Sequence, residues 1–391
     1  MYNRNLVFWS ACLGMLIFGM VMISLGTINT FLTTKFALDQ TQVGSLAALL
    51  PIGILFGSLV FGPIVDRFGY KILLALCTLL VLLGIEIIPF AHNLSAIQFA
   101  FFLIGFGGGV INGGTNALVS EISAEEKGSR LSFLGVFYGI GALGMPNIVG
   151  LMSKYFSTES VITVIGLFIL IPVIFFLSIK FPEPKIKQGF PLKQSLRLFK
   201  NPILLLIGFV LFFESGMEGM VNNWSTTYLT KPVSQGAPGL SIDKALFALS
   251  LMMVSITITR LILGFVLKKI KDYYAVFASI VIIIIAALIL FKGTTMFSAA
   301  CGLFLMGVGF SAGFPVLYGY AGTLFSEFAG TAFSIILVIA LFGNTLLNYL
   351  VGIISSNFGI KYYLVVVIGS ALLMLVLFST LVRRTAKTIK V

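Results

Sequence analysis

The sequence predicts an all-α integral membrane protein of twelve transmembrane helices in two pseudo-symmetric six-helix bundles. Three observations carry that expectation. Only 10% of the 391 residues are charged and 59% are hydrophobic, with a mean hydropathy of +1.10, whereas a soluble domain is nearer a quarter charged. The apolar residues gather into about twelve runs, each close to the roughly 20 residues that a helix needs to cross a bilayer core. The Lys and Arg residues between those runs fall mostly on one side.

In chain order the runs are 6–32, 42–64, 72–90, 96–120, 131–153, 160–180, 202–229, 244–267, 273–291, 297–321, 330–352 and 360–382. The first follows Arg4, and no small-residue cleavage site ends a short apolar core, so it reads as a retained span. Most connections are short. The exception is KFPEPKIKQGFPLKQSLRLFKNP at 180–202, which carries six Lys/Arg and has three prolines before its end. It divides the chain into an N-terminal bundle at 1–182, a linker at 183–200 and a C-terminal bundle at 201–391.

Eighteen Lys/Arg residues, those of the linker and both termini among them, lie on one side of the spans. Six lie on the other: Lys35, Lys154, Lys231, Lys244, Lys292 and Lys361. Arg260 alone sits inside a span, the eighth, where it is expected to snorkel its head to the interface or to pair with an acidic residue, snorkelling being favoured. Positive charge accumulates on the cytoplasmic side, so both termini and the linker are expected there, in the cell (inner) membrane.

The halves read as repeats. FLIGFG at 102–107 matches FLMGVG at 304–309, an offset of 202. At the same offset GPIVDR (62–67) faces GFVLKK (264–269), Ser132 faces Ser334 and Gly141 faces Gly343. Duplicated parallel six-helix halves with a site near the midplane are a transporter architecture.

Several function classes fall away. The formal charge of +12 sits in short loops between apolar runs, which encodes topology rather than nucleic-acid binding. Cys12, Cys77 and Cys301 all lie inside apolar runs, and His92 is the only histidine. No disulfide framework, metal site, cofactor site or catalytic constellation is implied. The glycines of GFGGGVINGGTNALVSEI in span 4 lack the G-x-G-x-x-G spacing of a nucleotide loop. Instead Gly105, Gly109 and Gly113 recur every four residues and give a neighbouring helix a smooth face. Asn112 and Asn116 nearby either line a cavity or hydrogen-bond helices together.

The most informative stretch is FFESGMEGMVNNWSTTYL in span 7. At 100° per residue Glu214, Glu218, Asn222 and Ser225 fall within about 80° of one another. Both glutamates lie near the middle of the span, where a charged carboxylate costs roughly 3 kcal/mol even on the lenient insertion scale. They are expected to face a water-filled cavity or a partner, with a proton as the alternative to a counter-charge. The bland reading is a structural hydrogen bond to a neighbouring helix. Asn344 and Asn348 in span 11 are spaced four apart, and cavity lining and packing are both open to them.

The loop GPIVDRFGYK at 62–71 resembles the signature G-x-x-x-D-R-x-G-R-[RK] of the major facilitator superfamily. Gly62, Asp66, Arg67, Gly69 and Lys71 match, and Tyr70 departs. The resemblance spans the whole chain and implies the two-bundle major facilitator fold. It also implies gating by Gly62, Asp66, Arg67 and Lys71, with Arg130 at the start of span 5; a plain basic loop is the competing reading. Drug exporters of the family carry G-x-x-x-G-P-x-x-G-G in span 5. Here Met145 precedes Pro146 and the closing pair is Val149–Gly150, which counts against an exporter.

Glu218, Gly219 and Trp224 resemble the helix-7 pattern of the fucose–proton symporter branch, which includes sodium–glucose relatives. Asn112 or Asn116, Gly139–Pro146 and Phe314–Pro315 resemble further features of that branch. The resemblance implies a transporter for a sugar or polyol, coupled to a proton or sodium ion at Glu218, with Glu214 beside it. Substrate contacts are then expected from Glu218, Asn222, Trp224, Asn112, Asn116, Glu214, Asn344 and Asn348. The expected partners are a small-molecule solute, the coupling ion and the lipid bilayer; the unit is expected to be a monomer. An exporter of drugs or metabolites is the alternative.

Overall fold

A computed structural model of the chain describes residues 2–38, 40–123, 126–153, 155–184 and 197–385. Most of the linker, residues 185–196, therefore lies outside the described residues. Among the described residues, twelve helical spans are long and apolar enough to cross a membrane, from Arg4–Ile28 to Ile360–Thr385. Each of the twelve expected runs corresponds to one of them. The second expected run ends early: the helix there, Gln40–Phe68, continues through the Gly62–Asp66 signature to Phe68.

The first half contains α1 (Arg4–Phe36), α2 (Gln40–Phe68), α3 (Tyr70–Phe90), α4 (Leu94–Ile122), α5 (Lys127–Met152), α6 (Thr158–Phe168) and α7 (Leu170–Ser178). The second contains α8 (Pro202–Thr230), α9 (Ile242–Val266), α10 (Asp272–Lys292), α11 (Met296–Gly309), α12 (Gly313–Leu324), α13 (Ala329–Phe358) and α14 (Tyr363–Thr385). Among the described residues two spans are interrupted, and a proline explains each break. Pro172 cannot donate to Phe168 and its ring crowds that carbonyl, so α6 ends at Phe168. Pro315 does the same to Ser311, and α11 gives way to α12 across Phe310–Ala312. The turn from α2 to α3 requires Gly69, whose φ of +80° is open mainly to glycine.

Contacts group the residues into two compact units. Unit 1 is Met1–Ala124, Phe137–Leu196 and Phe325–Ser334; unit 2 is Glu125–Val136, Arg197–Leu324 and Ile335–Val391. In unit 1 the glycine stripe of α4 lies on α2. A Cβ on Gly105 would meet the Leu50 carbonyl, one on Gly109 the Ile54 carbonyl, and one on Gly113 the Phe61 ring. On another face of α4, Gly107 packs on the Cys77 carbonyl of α3. Unit 2 repeats the arrangement: Gly307 of α11 packs on Met252 of α9, and Gly309 packs on Ile283 of α10. Overpacking such a seam typically costs about 1–3 kcal/mol.

The repeat extends to single hydrogen bonds. In unit 1 the Ser334 hydroxyl donates to the Ser58 carbonyl. In unit 2 the Ser132 hydroxyl donates to the Arg260 carbonyl at 2.7 Å. Positions 58 and 260, and 132 and 334, are both 202 apart.

Candidate functional site

The carboxyl pair is held on α8, whose start is well defined. The Asn201 side chain accepts from the amides of Ile203 (2.9 Å) and Leu204 (3.2 Å), and Pro202 occupies the first turn, where its missing N–H costs nothing. Three turns further on, Glu214 is 1% exposed. Its carboxyl lies against Gly313, the first residue of α12, where any Cβ would overlap it. The amides of Gly313 and Phe314 lie beside the carboxyl, without a hydrogen bond to it. A helix N-terminus carries partial positive charge, so this is a favourable end to meet a carboxylate. Glu218, one turn along α8, is half-buried.

Arg260 of α9 supplies the positive charge that acts on both glutamates. It is 8% exposed, and its stem lies across Gly135, where an ideal Cβ would sit 2.7 Å from the Arg260 Cδ. The favoured snorkelling is therefore corrected, and the alternative, placement beside acidic residues, fits. Two carboxyls inside unit 2 offer the guanidinium a counter-charge, and a glycine offers it room. Of the two placements expected for Glu214, a cavity or a partner, the start of α12 supplies the second by lying against the carboxyl. Ser225, expected on the same face, is buried and shares a 3.1 Å hydrogen bond with the Tyr363 hydroxyl.

Asn222 and Trp224 are half-buried further along α8. Asn344 and Asn348 of α13 tie that helix to α8. Asn344 donates to the Ser215 carbonyl (3.0 Å) and lies over Gly219. Asn348 donates to the Asn344 carbonyl (2.8 Å) and side-chain oxygen (3.1 Å). Its own oxygen accepts from the Trp224 indole N–H (3.1 Å) and the Asn223 amide (3.0 Å).

In unit 1, Asn116 is 5% exposed and donates back along α4 to the carbonyl (2.9 Å) and side-chain oxygen (3.0 Å) of Asn112, which is half-buried. The loop signature is more fully engaged. Gly62 packs on the backbone of Gly330 and Thr331, where a side chain would not fit. Asp66, 3% exposed, accepts from the amides of Gly330 (3.1 Å) and Thr331 (2.9 Å) and from the Thr331 hydroxyl (2.6 Å). It thus caps the first turn of α13. Tyr70, the departure from the signature, donates to Glu121 at 2.9 Å. The half-buried Arg67 guanidinium lies 5.5 Å from the centroid of the Phe68 ring, and Lys71 and Arg130 are half-buried.

Asp66→Ala is expected to strand two buried amides and a hydroxyl and to destabilise the fold by about 1–3 kcal/mol. A cysteine at Ser326, just before α13, should label faster with maleimide in that variant. Unchanged unfolding and unchanged labelling together would show that the carboxylate does not hold α13.

Arg260, Gly135 and Gly313 were not among the expected site residues. A lone arginine in an apolar span was the available signal for the first. The two glycines make sense only once their neighbours across the fold are known.

A model of the Major Facilitator Superfamily matches residues 11–336. The chain is 22% identical over 352 residues to the glucose/mannose transporter of Bacillus subtilis strain 168, covering 85% of this chain and 84% of that one. The fold is similar to that of the Escherichia coli fucose:proton symporter, with a TM-score of 0.79 and 18% identity over 96% of this chain and 98% of that one. It is also similar to a proton:xylose symporter, with a TM-score of 0.77 and 16% identity over 96% and 95% of the two chains. The chain belongs to the major facilitator superfamily, whose members are transporters rather than enzymes. It is a multi-pass membrane protein.

Proposed function

We propose that this transporter is secondary active: it moves a sugar or polyol by alternating access and couples that movement to a proton or sodium ion. The charge set on α8 and α9 is the observation that carries the coupling. Glu214, Glu218 and Arg260 together leave one negative charge uncompensated when all are ionised, and buried charge must be balanced. One proton or one sodium ion does so. Glu214 is sealed, so Glu218 is the group assigned to the ion.

The sugar class draws support from the glucose/mannose relative and from the fucose and xylose symporters that share the fold. Asn222, Asn112 and Asn116 are assigned to solute hydroxyls, which amides bind directionally, and the Trp224 ring to a sugar's apolar face. Asn344 and Asn348 support that surface from behind. Gly62, Asp66, Arg67, Lys71 and Arg130 are assigned to the cytoplasmic gate. We assign the protein to the cell (inner) membrane as a monomer, with an N-terminal and a C-terminal bundle joined by a linker at 183–200 and both termini cytoplasmic.

Proteoliposome uptake tests this reading with D-glucose, D-mannose, L-fucose, D-xylose, polyols, amino acids and amphipathic drugs, with and without proton or sodium gradients. Gradient-dependent sugar or polyol accumulation is expected. Drug efflux without sugar exchange would overturn it in favour of an exporter. The topology has its own test: a cysteine placed within 183–200 should resist impermeant thiol reagents in intact cells, and ready labelling there would reverse the orientation.

A further inference from the structure

The hydrogen bonds around Trp224 fix more than a helix contact. An indole N–H can only donate, and it needs an acceptor when it is drawn out of water. In this fold the acceptor is the Asn348 oxygen, at 3.1 Å. That oxygen also takes the Asn223 amide at 3.0 Å, so the Asn348 NH2 must point the other way, toward Asn344. Asn344 in turn gives its own NH2 to the Ser215 carbonyl of α8 at 3.0 Å. The chain of donors has one direction, and turning over Asn344 or Asn348 breaks at least two links.

The far edge of the ring is placed by an absence of side chain. The Trp224 Cζ2 and Cη2 atoms lie 3.8 and 3.9 Å from where a Cβ on Gly352 would stand. Alanine would fit there in ordinary contact, whereas a longer side chain would displace the ring.

We infer that Asn348 and Gly352 are positioning residues that set the plane and depth of the Trp224 ring and so determine how well its face receives the solute. This rests on the sugar reading above, in which that face packs on a sugar. Because the N–H is spent on Asn348, the ring offers the solute only its apolar surface. Selection by Trp224 is then by shape and C–H faces, and hydroxyl recognition falls to other side chains.

The chain has two tryptophans, Trp9 and Trp224, so Trp9→Phe leaves Trp224 as the sole emitter. In that background Asn348→Leu, close in shape but without the acceptor, should red-shift the emission and increase acrylamide quenching at least twofold. Asn348→Gln should restore part of the parent signal. Gly352→Leu should mimic Asn348→Leu by displacing the ring from the other edge, while Gly352→Ala should behave as parent. In counterflow with D-glucose, D-mannose, L-fucose and D-xylose, Asn348→Leu should raise KM roughly tenfold, the equivalent of one lost hydrogen bond, with the maximal exchange rate kept.

Parent-like emission and quenching in both Asn348→Leu and Gly352→Leu would overturn the positioning role. If the ring moves as expected yet Trp224→Phe keeps the parent KM for every sugar, the sugar reading of Trp224 fails, and the inference that rests on it falls too. A raised KM in Trp224→Phe with parent KM in Asn348→Leu would keep the ring at the solute and remove Asn348 from its positioning.

Discussion

Glu218→Gln is expected to abolish accumulation against a gradient, by at least tenfold, while counterflow exchange in the same liposomes persists. The substitution keeps the shape and most of the hydrogen-bonding capacity of the side chain and removes its titratable charge. A carrier that can no longer exchange a proton or bind sodium at this position can still cycle with solute alone, so exchange survives when concentration does not. The expectation follows from the position of Glu218, which is half-buried, one turn from Asn222 and in the field of Arg260. Glu214→Gln should do less to accumulation, because its carboxyl is closed off by Gly313. Full accumulation by the Glu218→Gln protein would take that residue out of the coupling step.

Arg260→Met is expected to be the most destabilising single change in unit 2. It leaves the buried Glu214 and the half-buried Glu218 carboxyls without their cation, and removing one partner of a buried charge pair typically costs about 3–5 kcal/mol. A surface arginine lost from a helix end would cost a few tenths of that, so the size of the effect separates the buried placement from a snorkelling one. Adding Glu214→Gln should recover part of the loss, because it removes one of the stranded charges. Denaturant or thermal unfolding of the purified parent, single and double variants makes the comparison. Arg260→Met as stable as the parent, or no recovery in the double variant, would show that the three side chains are not an energetic unit.

The spans were readable because bilayer thickness sets a run length that few other structures need. The α4 stripe was readable because Gly105, Gly109 and Gly113 recur at helical spacing, and α2 does meet that face. The partners of the polar residues were not readable. Asn112–Asn116 and Asn344–Asn348 share the same spacing of four, yet Asn116 closes on its own helix while Asn344 reaches the Ser215 carbonyl on another. Spacing brings the two amides of a pair together; only tertiary distance decides what else they can reach. Asp66 lies 264 residues from Gly330 in the sequence, too far for local pattern to connect them. The breaks show the same limit. Pro172 and Pro315 stand just beyond interruptions, but Pro51, Pro63 and Pro146 lie within helices that continue. A proline frees a carbonyl, and the surrounding structure determines whether the helix survives that loss.

The hydrogen bonds of Asp66 also bear on the order of synthesis. Its acceptor oxygens are made early, and the Thr331 donors follow 265 residues later. At about 5–20 residues per second, the interval on the ribosome is on the order of ten to fifty seconds. Throughout it the Asp66 carboxylate and the Ser58 carbonyl have no Thr331 or Ser334 to meet them. The donors that hold this end of α2 to α13 therefore arrive only with the second half of the chain.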